Sequence, residues 1–159
     1  MRSSLWAAGL IAAVLTAIAG VMLIATPCSG DSSKPLTAQG YYARFSELFK
    51  EIDQRGGALA EKHGITPSDQ ELPVAFWGDS SALAAEYADK LGSMKPPLEL
   101  AGAHNAYVAA LRALSEAYQT LSQGADPATA NTPFQHVVDT CNALGQLAKQ
   151  LGAAFPQSC

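Results

Sequence analysis

Residues 97–124 read PLELAGAHNAYVAALRALSEAYQTLSQG. Ala101, Tyr107, Val108, Leu111, Leu114, Tyr118 and Leu121 recur there at spacings of three and four, with His104 on the same stripe. Apolar residues at that period line one face of an α-helix, whereas a strand would alternate them every second residue. Pro97 suits the first helical position, where its missing N–H costs nothing, and Glu99 is favourable near the positive end of the helix dipole. Gly124 is the stop.

The same grammar repeats on both sides. Upstream, a helix is expected from about Thr37 to His63, with Tyr41, Tyr42, Phe45, Leu48, Phe49, Ile52 and Leu59 on its buried face. Gly56-Gly57 weakens its middle by about 1 kcal/mol per glycine relative to alanine, so a break or a close helix contact is expected there. After Gly64, Thr66-Pro67-Ser68-Asp69 and Ser68-Asp69-Gln70-Glu71 are overlapping start signals, and Phe76, Ser80, Leu83, Tyr87, Leu91 and Met94 form the expected stripe. Lys95-Pro96-Pro97 ends it. Downstream of a loose loop at 124–131, Thr132-Pro133-Phe134-Gln135 combines a cap, a first-turn proline and a capping-box glutamine. The stripe Phe134, Val137, Val138, Cys141, Leu144, Leu147, Ala148 and Leu151 follows before Gly152. Four helices with short links favour antiparallel neighbours, so the expected fold class is all-α: an up-down four-helix bundle preceded by one N-terminal transmembrane or signal helix. The expected division is 1–28 as membrane anchor or lipoprotein-type signal, 29–36 as tether and 37–159 as the bundle.

The chain of 159 residues is 48% hydrophobic but only 15% charged. A soluble domain usually carries roughly 25% charged residues. The apolar excess is local. No charged residue stands between Arg2 and Asp31, and within Leu5–Thr26 all but Gly9, Thr16, Gly20 and Thr26 are apolar. As a helix that run spans about 33 Å, enough for a bilayer core and longer than the hydrophobic stretch of most cleaved signals. Arg2 ahead of the run places the N-terminus inside and the body outside the cytoplasm, at the periplasmic face or the cell surface. Cys28, followed by Ser29-Gly30-Asp31-Ser32-Ser33-Lys34-Pro35, resembles the lipidated cysteine of a bacterial lipoprotein. Ala25-Thr26-Pro27 before it departs from that pattern, with Pro27 where a small residue normally stands. Three readings therefore stand side by side: a retained span, a lipid on Cys28, and cleaved secretion.

Outside the cytoplasm cysteines pair. A helix from Cys141 to Gly152 rises about 16 Å, and the seven residues beyond it stretch to about 23 Å, so Cys159 can fold back to Cys141. A bridge there would contribute about 3 kcal/mol by restricting the unfolded chain.

Formal net charge −4 leaves no basic groove to neutralise phosphates, which excludes nucleic-acid binding. His63, His104 and His136 fall one to a helix, and in an up-down bundle His63 and His104 lie at opposite poles, so three converging metal ligands are not expected. There is no Glu-x-x-His pair for a di-iron site, no C-x-x-C-H for haem and no glycine loop followed by Lys-Ser/Thr for phosphate. Ser80-Ser81 beside Asp79 has no histidine at a readable spacing and reads as ordinary surface serine. Glu47/Lys50 and Glu86/Lys90 read as solvated-face contacts. No catalytic, cofactor-binding or metal-binding residue is therefore expected, and no cofactor.

Tyr41-Tyr42-Ala43-Arg44-Phe45, Pro96-Pro97 with His104, and Cys141-Asn142-Ala143-Leu144 with a terminal Cys159 together resemble a type of uncharacterised bacterial secreted or lipoprotein-like helical protein. The resemblance covers most of 37–159 on short motifs. It implies an extracytoplasmic location and a terminal bridge, with no catalytic activity assigned. Two function classes follow. The first is a non-enzymatic, membrane-anchored module serving as an accessory subunit or protein-interaction component of an envelope or membrane complex, with Phe76 and Trp77 as the candidate partner-facing residues. The second is a lipoprotein binding a small ligand or metal in the bundle interior, with His104 in the pocket.

Overall fold

The computed structural model describes residues 35–66, 68–69 and 71–153. The apolar run, Cys28, most of the tether and Cys159 lie outside the described residues. Those described form four α-helices and no strand: α1 (Ala38–Lys62), α2 (Val74–Gly92), α3 (Ala101–Leu121) and α4 (Asn131–Gln150). The all-α class is thus correct. No helix among the described residues is long and apolar enough to cross a membrane.

Helix α1 runs within one residue of the expected span. The Thr37 hydroxyl accepts from the Gly40 N–H at 3.1 Å. That bond satisfies one of the unpaired donors of the first turn. At the other end Gly64 takes φ +65°, and paired bonds from Gly64 N to Glu61 O and Ile65 N to Ala60 O close the helix. Gly124 and Gly152 end α3 and α4 by the same double bond, also at positive φ. Glycine without a Cβ adopts this left-handed turn freely, which is why all three stops are visible in the sequence.

The helix starts are less legible. Helix α2 begins at Val74, after the expected capping box rather than within it. A helix through Asp69–Pro73 would drive the proline ring into the carbonyl four residues back. Asp69 instead ties the loop, its carboxylate accepting from the Thr66 N–H at 2.6 Å and the Thr66 hydroxyl at 3.1 Å. The loop expected at 124–131 contains a 3-10 turn, Pro127–Ala130, capped by Asp126 accepting from the Ala128 N–H at 2.8 Å. It leads directly into α4, so Thr132-Pro133 sits inside the first turn, where proline forfeits no helical bond. A second 3-10 turn, Leu98–Leu100, joins Pro97 to α3.

The buried face of α2 is displaced by one residue over its first half. Trp77, Ser81 and Ala84 are buried where Phe76, Ser80 and Leu83 were expected. The cause is close approach to α3. Ser81 Oγ donates to Ser115 O at 2.8 Å and Ser115 Oγ donates to Ser81 O at 2.9 Å. Only small side chains at the contact allow two helices to share such a reciprocal pair. Ser81 is thus a buried packing residue rather than a surface serine.

Helices α1 and α2 run in opposite directions, since Glu51 meets Lys90, Arg55 meets Glu86 and Lys62 meets Asp79. Helices α2 and α3 do likewise through Tyr87 with Tyr107 and Trp77 with Tyr118. Helix α1 reaches the rest of the molecule through large rings: Tyr41 to His104, Phe45 to Tyr107, and Tyr42 Oη donating to Leu144 O at 2.9 Å. The main core, including Tyr41, Phe45, Leu91, Leu100, Cys141 and Leu144, therefore lies toward the start of α1. A smaller cluster of Trp77, Ala117, Leu121 and Ala130 fills the opposite end.

Gly57 makes neither the break nor the close contact that the glycine pair suggested: α1 is continuous, and a Cβ at Gly57 would meet no atom within 4 Å. Gly57→Ala should therefore raise stability by about 1 kcal/mol, read as a higher urea midpoint at unchanged slope.

Candidate functional site

The side chains that could carry chemistry gather at the two ends of the helices. At the end where α1 starts, His104 is 2% exposed and its Nδ1 shares a 3.0 Å hydrogen bond with Tyr41 Oη. The Tyr41 ring stands edge-on to the imidazole with centroids 5.7 Å apart, and Tyr42 and Phe45 pack on Tyr41 in turn. Burial pushes His104 below its ordinary value of 6.5, so the interior holds the neutral ring. Burial also pushes the Tyr41 hydroxyl up beyond the usual phenol range, and those of Tyr42 and Tyr107 to about 12. The Tyr87 hydroxyl, buried and then set against that of Tyr107, is raised as well. A neutral imidazole bonded to a neutral phenol and shut from solvent holds a core together; it is poorly placed to exchange protons with a bound substrate.

Of the openings between described residues, one between α1 and α2 holds about 10 Å³. That is the space of a single water. An open groove of about 390 Å³ over the first half of α4 is lined by Asn131, Thr132, Gln135, His136 and Asp139. His104 lines neither.

The opposite end brings together residues the sequence kept apart. His63, closing α1, places Nε2 2.8 Å from Asp79 Oδ2 on α2, and Lys62 Nζ lies 2.7 Å from the same oxygen. Lys62 first, then His63, holds the Asp79 carboxyl below its ordinary value. Phe76 meets the His63 ring edge-on at 5.8 Å. Helix polarity located His63 at this pole, but the sixteen-residue separation from Asp79 hid the pair. Ser81, near this dyad in sequence, is engaged with Ser115. His63 and His104 are at opposite ends, as expected, and the described residues contain no group of three or more His, Cys, Asp or Glu able to hold a metal ion.

The candidate partner-facing pair divides. Trp77 is only 9% exposed and stacks at a tilt on Tyr118 with centroids 5.3 Å apart, so it belongs to the smaller core rather than to an outward surface. Phe76 is half-buried. Among the described residues the large apolar side chains that do face solvent are Val74, Leu98 and Leu151. Leu98 lies in the link between α2 and α3, outside every stripe. Leu151 was expected on the buried stripe of α4, but the helix ends at Gln150 and the chain turns away at Gly152, so its side chain is left half in water.

Between α1 and α2 lies a charged lattice. Arg55 donates to both oxygens of Glu86 at 2.5 and 2.7 Å, and Lys90 joins Glu51 and Glu86. Arg55 first, then Lys90, pulls the Glu86 carboxyl down to about 2. Glu86/Lys90 is thus part of a helix-bridging network, beyond the local pair expected from the sequence.

These shifts set a two-step response to acid. His104 is depressed in the fold, so its contribution is complete above the unfolded value of 6.5 and is lost as pH falls through the lower folded value. Glu86 is also depressed, so its contribution is complete above 4.5 and is lost as pH falls towards about 2. Urea midpoints measured from pH 7.5 to pH 3 should fall in both windows. The paired replacement of Tyr41→Phe with His104→Leu should remove the first fall and leave the second; persistence of both falls would refute the assignment.

Cys141 is fully buried in the main core. In comparisons with known proteins, no family, curated protein or solved structure matches this chain.

Proposed function

We propose that the chain is a non-enzymatic, membrane-anchored helical module on the extracytoplasmic side, an accessory or interaction component of an envelope or membrane complex. In this reading residues 37–159 form an up-down four-helix bundle, and 5–26 or a lipid on Cys28 provides the attachment. The bridge joins Cys141 to Cys159.

The observation that carries the reading is Leu36. Its N–H donates to Lys95 O at 3.0 Å and its side chain packs on the main core. The last residue of the tether is therefore part of the folded body, and the chain arriving from the apolar run enters at one defined end. A body joined in this way meets its attachment at that end. Engagement of His104 with Tyr41 and of His63 with Asp79 supports a structural rather than a catalytic use of the two most enclosed histidines.

The test is purification from the native membrane in mild detergent, followed by intact mass measurement. Retention of residues 1–28, or a diacylglycerol-modified chain beginning at Cys28, with other subunits at fixed stoichiometry, would support the module. A chain released into the soluble fraction and lacking 1–28 would overturn the anchor. Turnover of a substrate that is lost on a single surface substitution would overturn the non-enzymatic assignment.

A further inference from the structure

We propose that the end of the body where the tether enters is a lipid-contacting surface, seated on anionic headgroups with Leu98 inserted at their boundary. The inference rests on the membrane anchoring proposed above and adds an orientation to it.

Three independent observations meet at this end. The first is the tether. Leu36 is fixed beside Lys95. Residues 27–35 reach at most about 32 Å at full extension, so the tether holds this end within that distance of the membrane. The second is apolar exposure. Leu98 is 88% exposed and follows Pro96-Pro97 in the link between α2 and α3, where a 3-10 turn holds it outward. The two prolines lock their φ angles and stiffen that link. Leu151, 42% exposed, ends α4 at the same pole, which Tyr42 to Leu144 and the packing of Ala153 on the main core establish.

The third observation is charge. On the turns nearest this end and in the ion pairs they make stand Arg44, Arg55, Lys90, Lys95 and Lys149 against Glu51, Glu86, Asp89 and Glu99. At the other end Lys62 alone stands against Glu61, Asp69, Glu71, Asp79, Glu116 and Asp126 among the described residues. An acidic chain thus carries its excess negative charge on the pole away from the tether. Basic residues within a Debye length of an anionic leaflet are attracted to it, and an apolar side chain on a rigid link gains by leaving water at the headgroup boundary. Val74, 56% exposed at the acidic pole, is the internal comparison.

The experiment uses the full chain reconstituted in vesicles of phosphatidylcholine with about 30% phosphatidylglycerol. Photoreactive p-benzoylphenylalanine is placed at position 98, 151 or 74 in separate preparations, all solvent-exposed sites. Flotation reports anchoring, and mass measurement after illumination reports phospholipid adducts. The expected result is flotation of all three, with adducts at 98 about tenfold above those at 74, an intermediate yield at 151, and a lower yield at 98 in pure phosphatidylcholine. Flotation with equal adducts at 98 and 74, or with position 98 captured by a protein, overturns the lipid contact and leaves the anchor standing. Failure to float overturns both.

Discussion

Phe45→Ala should cost about 3–5 kcal/mol, one of the largest losses expected from any single side chain here. Phe45 is fully buried and touches the rings of Tyr41, Phe49 and Tyr107, so truncation removes both its own apolar surface and one partner from each of those contacts. Its position matters as much as its burial. Helix α1 meets α2 largely through exposed charged pairs, with Phe76 against His63 and Leu48 and Ile52 near Tyr87, and meets α3 and α4 through rings that bridge a wider separation. Exposed pairs contribute little each. Backbone approach cannot compensate for a missing ring across that gap, and the cavity would be too large for neighbouring alanines to fill. The loss should therefore be concentrated in α1. Hydrogen exchange should show the amides of 38–62 exposed first, while α3 keeps its protection; uniform loss across all four helices would contradict this account of how α1 is held.

Cys159→Ser should lower stability by about 3 kcal/mol if the bridge to Cys141 is formed as proposed. Replacing Cys159 rather than Cys141 isolates the cross-link, because Cys141 is fully buried among core residues. Its removal would also leave a packing defect. Reduction of the native chain should reproduce the same loss, and reduction of the variant should add nothing. The slope of the denaturation curve should rise slightly in the variant, since an unbridged chain exposes more surface when unfolded. A variant as stable as the parent under oxidising conditions would refute the bridge.

The helices are legible because their signals are local. A stripe of period 3.6 records which face is buried, and Gly64, Gly124 and Gly152 mark stops through a backbone angle that other residues resist. Starts are harder because several side chains compete to cap. The Thr66–Asp69 signal becomes a loop tie once Pro73 forbids a helix through it, and Asp126 caps the 3-10 turn that leads into α4, which has no side-chain cap of its own. The candidate site is only half legible. His104 on an apolar stripe points to a core position, but its partner Tyr41 lies sixty-three residues away. His63 and Asp79, or Arg55 and Glu86, are likewise brought together by the antiparallel contact of α1 with α2.

From the sequence alone came the all-α class, the helix ends set by glycine, the uncharged N-terminal run and the opposite placement of His63 and His104. These depend on neighbours within a turn or two, or on the polarity of successive helices. Tertiary structure alone decided that Trp77 turns inward, that Ser81 lets α2 approach α3, that Leu36 belongs to the body and that Leu98 is left in solvent. Each of those outcomes depends on the distance between two helices. That distance is set jointly by all the side chains between them, which no single stretch of the chain contains.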